Sequence, residues 1–402
     1  MKKTVKNIVC ILFILCFALF STSCTSIFTP IESSKGEQNT SSSVEKLPEG
    51  TKLNFEINVT NSLDIVPDGV SVLEHIRPSV VEIYCTSPSG KSSGSGVILS
   101  LADSDENGEN DQATVVTCHH VIDGANSIVV KAIDGTEYGA SLVGSDPDSD
   151  ICVLFIQKTE DVTFDNISAA TWYQSSTNLK VGTEVYAIGN PLGTLGGTVT
   201  SGIVSAINRD VVVENTKMTL IQTDAAINGG NSGGGLFDKN TGALIGIVNA
   251  GYASSTAQGL SFAIPSSTAV GIVEQLLGNG YIEGRYDFGV EFSLYSVRTS
   301  YWSSDYYVGI KYLDEYGVFA KNGFEVEDVI LSIKIGDKET FEVPKITNSN
   351  VNTIVSDLTE YVYDSSYEIG DGVTVTYRRF NTNGSYDDNT VNFKISQYVY
   401  GG

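Results

Sequence analysis

From about Gly69 to Gln275 the apolar residues fall in short alternating runs separated by Gly, Asn and Asp. Val80-Val81-Glu82-Ile83-Tyr84, Gly96-Val97-Ile98-Leu99, Ala113-Thr114-Val115-Val116-Thr117 and Ser127-Ile128-Val129-Val130 are four of them. Regularly spaced, β-branched runs of period two predict strands of a sandwich or barrel. The period then changes. Ser266 to Leu277 reads as a helix with Val270, Ile272, Val273 and Leu276 on one face, followed by a linker at residues 278–284. Residues 285–398 begin a second alternating set, with a helix predicted over Val351 to Tyr361 and strands over Val373–Tyr377 and Val391–Ile395. That set predicts a small α+β or partly open barrel module, and no internal repeat relates it to the first.

Composition agrees with this division. A chain of 402 residues exceeds one average core. Its 41% hydrophobic content, with 16 Phe and 20 Tyr, is enough to fill real cores and excludes wholesale disorder. Forty Gly against nine Pro suit the tight turns of β architecture. The excess of 48 acidic over 24 basic residues excludes a surface built to neutralise phosphates, and with it nucleic-acid binding.

At the start of the chain Lys2, Lys3 and Lys6 precede an apolar run from Ile8 to Phe20, too short for a stable membrane span and typical of an export signal. Phe20-Ser21-Thr22-Ser23-Cys24 resembles the lipobox of bacterial lipoproteins, with Ser21 where Leu is usual. The resemblance implies removal of residues 1–23 and lipidation of Cys24. The alternative is an ordinary signal with an incidental cysteine. Loss of three lysines takes the formal charge from −24 to −27, so anchoring would rest on acyl chains, not on a basic patch. Residues 24–65, rich in Ser, Thr, Glu, Lys and Asn, read as a flexible tether. Of six cysteines, Cys10 and Cys16 leave with the signal, and Cys85, Cys118 and Cys152 read as buried thiols, a bridge between two of them being the alternative in an oxidising compartment. Asp103 to Glu109 imitates the start of a calcium loop, but position 12 is Thr114 and the flanks are strands, so a solvated hairpin tip is expected and no metal.

Three segments carry chemistry. Gln222-Thr223-Asp224-Ala225-Ala226-Ile227-Asn228-Gly229-Gly230-Asn231-Ser232-Gly233-Gly234-Gly235 brackets a serine with glycines, which lets amides of Gly230-Asn231-Ser232, those of Gly230 and Ser232 above all, converge as an oxyanion hole. Taken alone it reads equally well as a flexible turn. Upstream stand Thr117-Cys118-His119-His120-Val121 and Gly144-Ser145-Asp146-Pro147-Asp148-Ser149-Asp150-Ile151, in a chain with three histidines. A serine hydroxyl needs a base of pKa near 7, and the imidazole needs a carboxylate to set its tautomer. The order His, Asp, Ser is that of chymotrypsin-like proteases.

With Gly94-Ser95-Gly96, Ala187-Ile188-Gly189-Asn190-Pro191-Leu192-Gly193, Thr198 to Ser205 and Phe262-Ala263-Ile264-Pro265 added, the chain resembles the HtrA (DegP-like) family of trypsin-like serine proteases. The resemblance implies a mainly β protein: a chymotrypsin-like double β-barrel protease domain over residues 66–278, then a PDZ-like α+β domain over 285–398. It assigns His120 as base, Asp150 as orienting acid and Ser232 as nucleophile, and needs no cofactor. His119 rivals His120, since neighbours on a strand face opposite ways, and Asp146 and Asp148 rival Asp150. His75 reads as a surface residue. The S1 floor falls on Ala226, and the substrate-pairing strand on Asn249-Ala250-Gly251. No charge lines that pocket, so a small or medium aliphatic P1 residue is expected. Thr198 to Ser201 and Ala253 to Gly259 occupy the place of activation loops.

The chain also departs from the family. Gly229 and Gly235 replace usual prolines, which raises the entropy lost on ordering the nucleophile loop. In the second module Phe288-Gly289-Val290 fits a carboxylate-binding loop for a C-terminal peptide ligand, while Glu327 stands where Gly is usual. The resemblance implies unfolded or misfolded protein substrates, assembly as a homotrimer or a larger oligomer, and a lipid-anchored position on the extracytoplasmic side of a bacterial membrane. A peptide-binding or chaperone-like scaffold with an idle catalytic loop is the alternative from another class, and an exported esterase is a third.

Overall fold

Ahead of the main run lie a two-residue strand, β1 (Val59–Thr60), and a helix, α1 (Gly69–Ile76), which turns Val72 and Ile76 to the core. Six strands follow: β2 (Val80–Ser87), β3 (Gly90–Ala102), β4 (Gln112–Thr117), β5 (Ser127–Lys131), β6 (Glu137–Asp146) and β7 (Ile151–Gln157). Paired in the order β2-β3-β4-β7-β6-β5, they close into a barrel that leaves no open edge. Ile83, Val97, Leu99, Val115, Val130 and Val153 are wholly buried, and each such side chain contributes about 1.5–3 kcal/mol on burial. Between β4 and β5 sits a single helical turn, α2 (His119–Ile122).

A second ring forms from β9 (Glu184–Gly189), β10 (Thr198–Val213), β11 (Thr216–Thr223), β12 (Gly235–Asp238), β13 (Leu244–Asn249) and β14 (Ser261–Pro265). Each strand pairs with the next around the ring, β11 with β14, β14 with β13, β13 with β12 and β12 with β9, so this sheet also closes. The short β8 (Trp172–Tyr173) joins β1 to β13. Helix α3 (Ser266–Asn279) packs on β6, β7 and β13 and so bridges the two barrels. It runs two residues beyond the expected end, and Ala269, not Ile272, shares its buried stripe with Val270, Val273 and Leu276.

The last part has one six-stranded sheet, β15 (Val290–Ser300), β16 (Ser303–Leu313), β17 (Val329–Ile335), β18 (Phe341–Glu342), β19 (Gly372–Phe380) and β20 (Tyr386–Lys394), in the order β15-β16-β17-β19-β20 with β18 on β17. Helices α4 (Val318–Lys321) and α5 (Ile354–Val362) cover it over a core of Phe288, Phe319, Ile333, Leu358 and Val375. Helix α5 starts later than the pattern predicts because residues 350–353 are turns, and Asn350 Oδ1 accepts the amide of Thr347. The mainly β double barrel followed by an α+β module is therefore observed.

This computed structural model describes residues 45–47, 53, 55–62, 69–104, 106–159, 164–175, 178–190, 196–213, 216–249, 260–300, 303–347, 350–381 and 385–401. The expected signal segment and Cys24 lie outside them. Within the expected tether, residues 45–47 and 55–62 instead lie on the body: Lys46 bridges Leu142, and Val59 and Thr60 pair with Trp172 and Tyr173. Cys85, Cys118 and Cys152 are free and buried. The acidic segment joins β3 to β4 as a hairpin tip, where the carboxylate of Asp103 accepts the amides of Asn107 and Gly108.

Glu327 is exposed and holds a left-handed φ of 75°, which explains the family's glycine at that place. A side chain in that region costs about 1–2 kcal/mol, partly offset by the greater entropy a glycine loses on folding. Glu327→Gly is expected to stabilise the protein by about 0.5–1 kcal/mol, read as a higher midpoint of denaturant unfolding for the last module.

Candidate active site

Asp150 comes from a tight turn between β6 and β7. Asp146 accepts the amide of Ser149 at 3.1 Å, and the amide of Asp150 donates to the carbonyl of Pro147 at 3.2 Å. The turn brings Asp150 out at a left-handed φ of 54°, a conformation that Asp tolerates better than most residues. Its carboxylate is buried and fully engaged. Oδ1 accepts the backbone amide of His120 at 2.9 Å, and Oδ2 accepts the ring Nδ1–H at 2.8 Å and Asn249 Nδ2–H at 2.8 Å. Asp146 and Asp148 shape the turn and do not reach His120.

The two histidines part company in α2. They sit on a single helical turn, not on a strand, so a step of about 100° separates them instead of strand alternation. His120 meets Asp150. His119 turns away, with Nδ1 2.8 Å from Ser145 Oγ and its ring edge-on to Tyr400 at 4.7 Å. Burial lowers the pKa of His119 below the usual imidazole value, so it stays neutral. His75 is exposed on α1. A bond from Nδ1–H to Asp150 selects the tautomer whose neutral form carries the lone pair on Nε2, the form a general base requires.

Ser232 is buried at the end of the glycine-rich loop, and that loop is bonded to the first barrel. The amide of Ser95 donates to the carbonyl of Ser232 at 2.8 Å, and Ser95 Oγ donates to the carbonyl of Gly230 at 2.7 Å. Ser95 Oγ also accepts the amide of Asn190, while Thr117 Oγ1 donates to the Ser95 carbonyl. Gly233, at φ 82°, passes so close that a Cβ there would lie 2.1 Å from the Ser95 carbonyl and 3.1 Å from the amide of Cys118, two residues before His120. Only glycine fits. Ser95 is thus the staple of the loop, a role the motif Gly94-Ser95-Gly96 did not disclose.

The amide of Asn231 donates to the carbonyl of Asn228, so it is spent within a turn. Among the described residues the amides of Gly230 and Ser232 have no acceptor in the chain, and these two can serve an oxyanion. Gly235 is a strand residue, not a loop hinge: a Cβ there would meet the Phe237 ring at 2.2 Å, which excludes proline for steric reasons.

The remaining expected positions divide. Ala226 is exposed, and its carbonyl accepts Thr200 Oγ1–H at 2.9 Å, tying it to the segment Thr198 to Ser201, which opens β10 as a strand paired with β9. Asn249 supports Asp150 through its side chain, a role the sequence did not signal. Ala250, Gly251 and Ala253 to Gly259 lie outside the described residues. The thiol of Cys118 lies within 4.8 Å of the ligand atoms of His120 and Asp150, and no other trio of this kind occurs among the described residues. Burial, with the charge of Asp150 beside it, raises the Cys118 pKa far above the usual thiol value, so the group remains a protonated thiol.

The segment expected as a carboxylate loop, Phe288-Gly289-Val290, opens the last module. Phe288 is a core residue, the amide of Gly289 donates to Asp287 Oδ1 at 2.8 Å, and the amide of Val290 donates to the hydroxyl of Tyr363 at 3.0 Å. Both of these amides are thus bonded within the chain.

The chain is similar to known serine proteases. A trypsin-like peptidase domain matches residues 94–247. The chain is 37% identical over 257 residues to the serine protease Do-like HtrA of Bacillus subtilis, covering 60% of this chain and 54% of that protein. It is 42% identical over 191 residues to the periplasmic serine endoprotease DegP of Escherichia coli, covering 47% of this chain and 37% of the relative. A solved HtrA-type protease, AlgW with tripeptide, is 30% identical and aligns over 83% of this chain and 97% of its own, at a TM-score of 0.47. The chain therefore spans about half or less of the curated relatives' lengths. Residues 94–247 thus match a trypsin-like peptidase domain, and the chain is similar there to the HtrA and DegP serine proteases.

Proposed function

We propose that the chain is a serine endopeptidase that cleaves misfolded or unassembled exported proteins with Ser232, His120 and Asp150, after small or medium aliphatic residues. One observation carries the reading: the ring of His120 is bonded through Nδ1 to Asp150, and the loop of Ser232, whose amide and that of Gly230 have no partner among the described residues, packs at Gly233 against Cys118, two residues before His120. Ser232 Oγ attacks the scissile carbonyl as its proton passes to His120 Nε2, and Asp150 stabilises the imidazolium. Negative charge on the former carbonyl oxygen is met by the amides of Gly230 and Ser232. His120 then protonates the leaving amine. A water molecule, deprotonated by the same imidazole, releases the acyl group from Ser232.

Export belongs to the same proposal, with an acyl chain on Cys24 holding the enzyme outside the cytoplasmic membrane. The basic, apolar start of the chain and the periplasmic description of the E. coli relative support this. The preference for aliphatic P1 residues rests on Ala226, which offers only a methyl group where a basic P1 side chain would need a carboxylate.

Digestion of a reduced, unfolded protein and sequencing of the new ends tests both parts. New carboxyl termini are expected to be Ala, Val or similar residues, and to be absent with the Ser232→Ala variant. Cuts chiefly after Arg or Lys would overturn the pocket assignment. Equal fragments from both proteins would overturn the endopeptidase.

A further inference from the structure

Neither half of the His120–Asp150 pair is anchored by its own local structure. Helix α2 is four residues long, one turn closed by bonds such as Val121 to Cys118 and Asp123 to His119, far too little for a helix to hold its own direction. Asp150 sits at a left-handed φ, which persists only where surroundings over-determine it. Both are braced from behind by residues of the last module.

On the aspartate side, Arg285 spans the turn. Its Nη1 lies 2.8 Å from Asp148 Oδ2 and its Nη2 3.6 Å from the buried Asp146. Arg285 is itself fixed by the segment after β20: the amide of Tyr398 donates to its carbonyl at 2.9 Å, and Gln397 Nε2 donates to the same carbonyl and to that of Ile282. On the histidine side, that same segment delivers Tyr400, 5% exposed, against His119. The Tyr400 hydroxyl donates to Asp123 Oδ1 at 3.1 Å and accepts the amide of Gly124 at 3.2 Å, gripping the exit of α2. The other side of Tyr400 meets the Tyr316 ring at 4.8 Å, and Tyr398 donates to Asp314 at 2.8 Å. One stitched unit, residues 282–285 with 397–400, thus touches the turn that aims Asp150 and the turn that aims His120.

We propose that Arg285 and Tyr400 are positioning residues for the catalytic pair, through which the last module sets the geometry of the His120–Asp150 hydrogen bond. The proposal rests on the reading of His120 and Asp150 given above. Neither residue touches substrate. Their loss should therefore lower turnover without weakening substrate binding.

The test uses the full chain with Arg285→Gln, Arg285→Lys, Tyr400→Phe and Tyr400→Ala. Kinetics on a quenched peptide with Val at P1 are combined with the low-field NMR resonance of the His120 Nδ1 proton, which reports the bond to Asp150 whether or not the protein cleaves anything. Arg285→Gln and Tyr400→Phe are expected to lower kcat about tenfold with KM within about twofold of the parent. Exchange of the Nδ1 proton should quicken in both. Arg285→Lys, which keeps one ion pair to the turn, should recover part of each effect. Should Tyr400→Ala fail to fold, Tyr400→Phe, which keeps the ring in its packing and removes only the hydroxyl, decides. Folded variants with parental kcat and an unchanged resonance would overturn the proposal. A parent no more active than its Ser232→Ala variant would overturn the protease reading instead, and the proton resonance alone would then judge the brace.

Discussion

Replacing Ser232 by alanine is expected to lower kcat about 10⁶-fold and to abolish covalent labelling by a fluorophosphonate, while leaving the fold intact. The intact fold follows from how the loop is held. Its bonds run from the amide of Ser95 to the Ser232 carbonyl, from the amide of Gly233 to the Val248 carbonyl, and between Ser95 Oγ and Gly230, and none of them uses Ser232 Oγ. The activity loss follows from chemistry: without the hydroxyl there is no acyl intermediate, and a factor of 10⁶ corresponds to about 8 kcal/mol of transition-state stabilisation. A residual rate above that of water should survive, since the amides of Gly230 and Ser232 remain to meet an oxyanion. Equal labelling of parent and variant would falsify the assignment and favour a binding scaffold with an idle loop. Comparing casein turnover with that of a short-chain ester separates the peptidase from an esterase using the same residues.

Nearly the same loss is expected for His120→Ala, again about 10⁶-fold in kcat, whereas His119→Ala should cost no more than about tenfold. Nδ1 of His120 bonds to Asp150, whose buried carboxylate also holds Asn249 and the His120 backbone amide. That network fixes the ring through Nδ1, and the His120 side chain is 31% exposed. The neighbouring ring is engaged with Ser145 and Tyr400, and burial lowers its pKa. Loss of His119 therefore disturbs the packing behind the base, not the base itself. Steady-state kinetics on one peptide substrate, with thermal midpoints to show that both variants fold, checks the pair. Comparable losses in the two would return the assignment to His119.

Strands were the most legible feature. Val80–Tyr84 and Ala113–Thr117 appear where the sequence puts them, because short β-branched runs report strands from local sequence alone, whether partly buried as in β2 or wholly buried as in β4. The choice between the adjacent histidines was less legible. A one-turn helix is too short to show a period, and the strand argument for separating them failed once Cys118 proved to be the extended residue before that turn. Gly235 misled for a related reason. As a strand position crowded by Phe237 it looks in sequence like one more flexible loop glycine. The carboxylate loop at Phe288-Gly289-Val290 has the right residues, but Asp287 and Tyr363, 76 positions apart in sequence, take its amides.

Sequence alone determined the class of the protein: closed β architecture, a separate small module after it, and the serine, histidine and aspartate segments in chymotrypsin-like order, since each is written in neighbouring residues. Tertiary structure decided what holds those groups in place. Ser95 reaches Gly230, Asn249 reaches Asp150, and Arg285 and Tyr400 brace turns more than a hundred positions away in the chain. Such contacts arise only when barrels close and modules dock, and closure depends on the summed burial of many side chains, which leaves no mark at the residues it brings together.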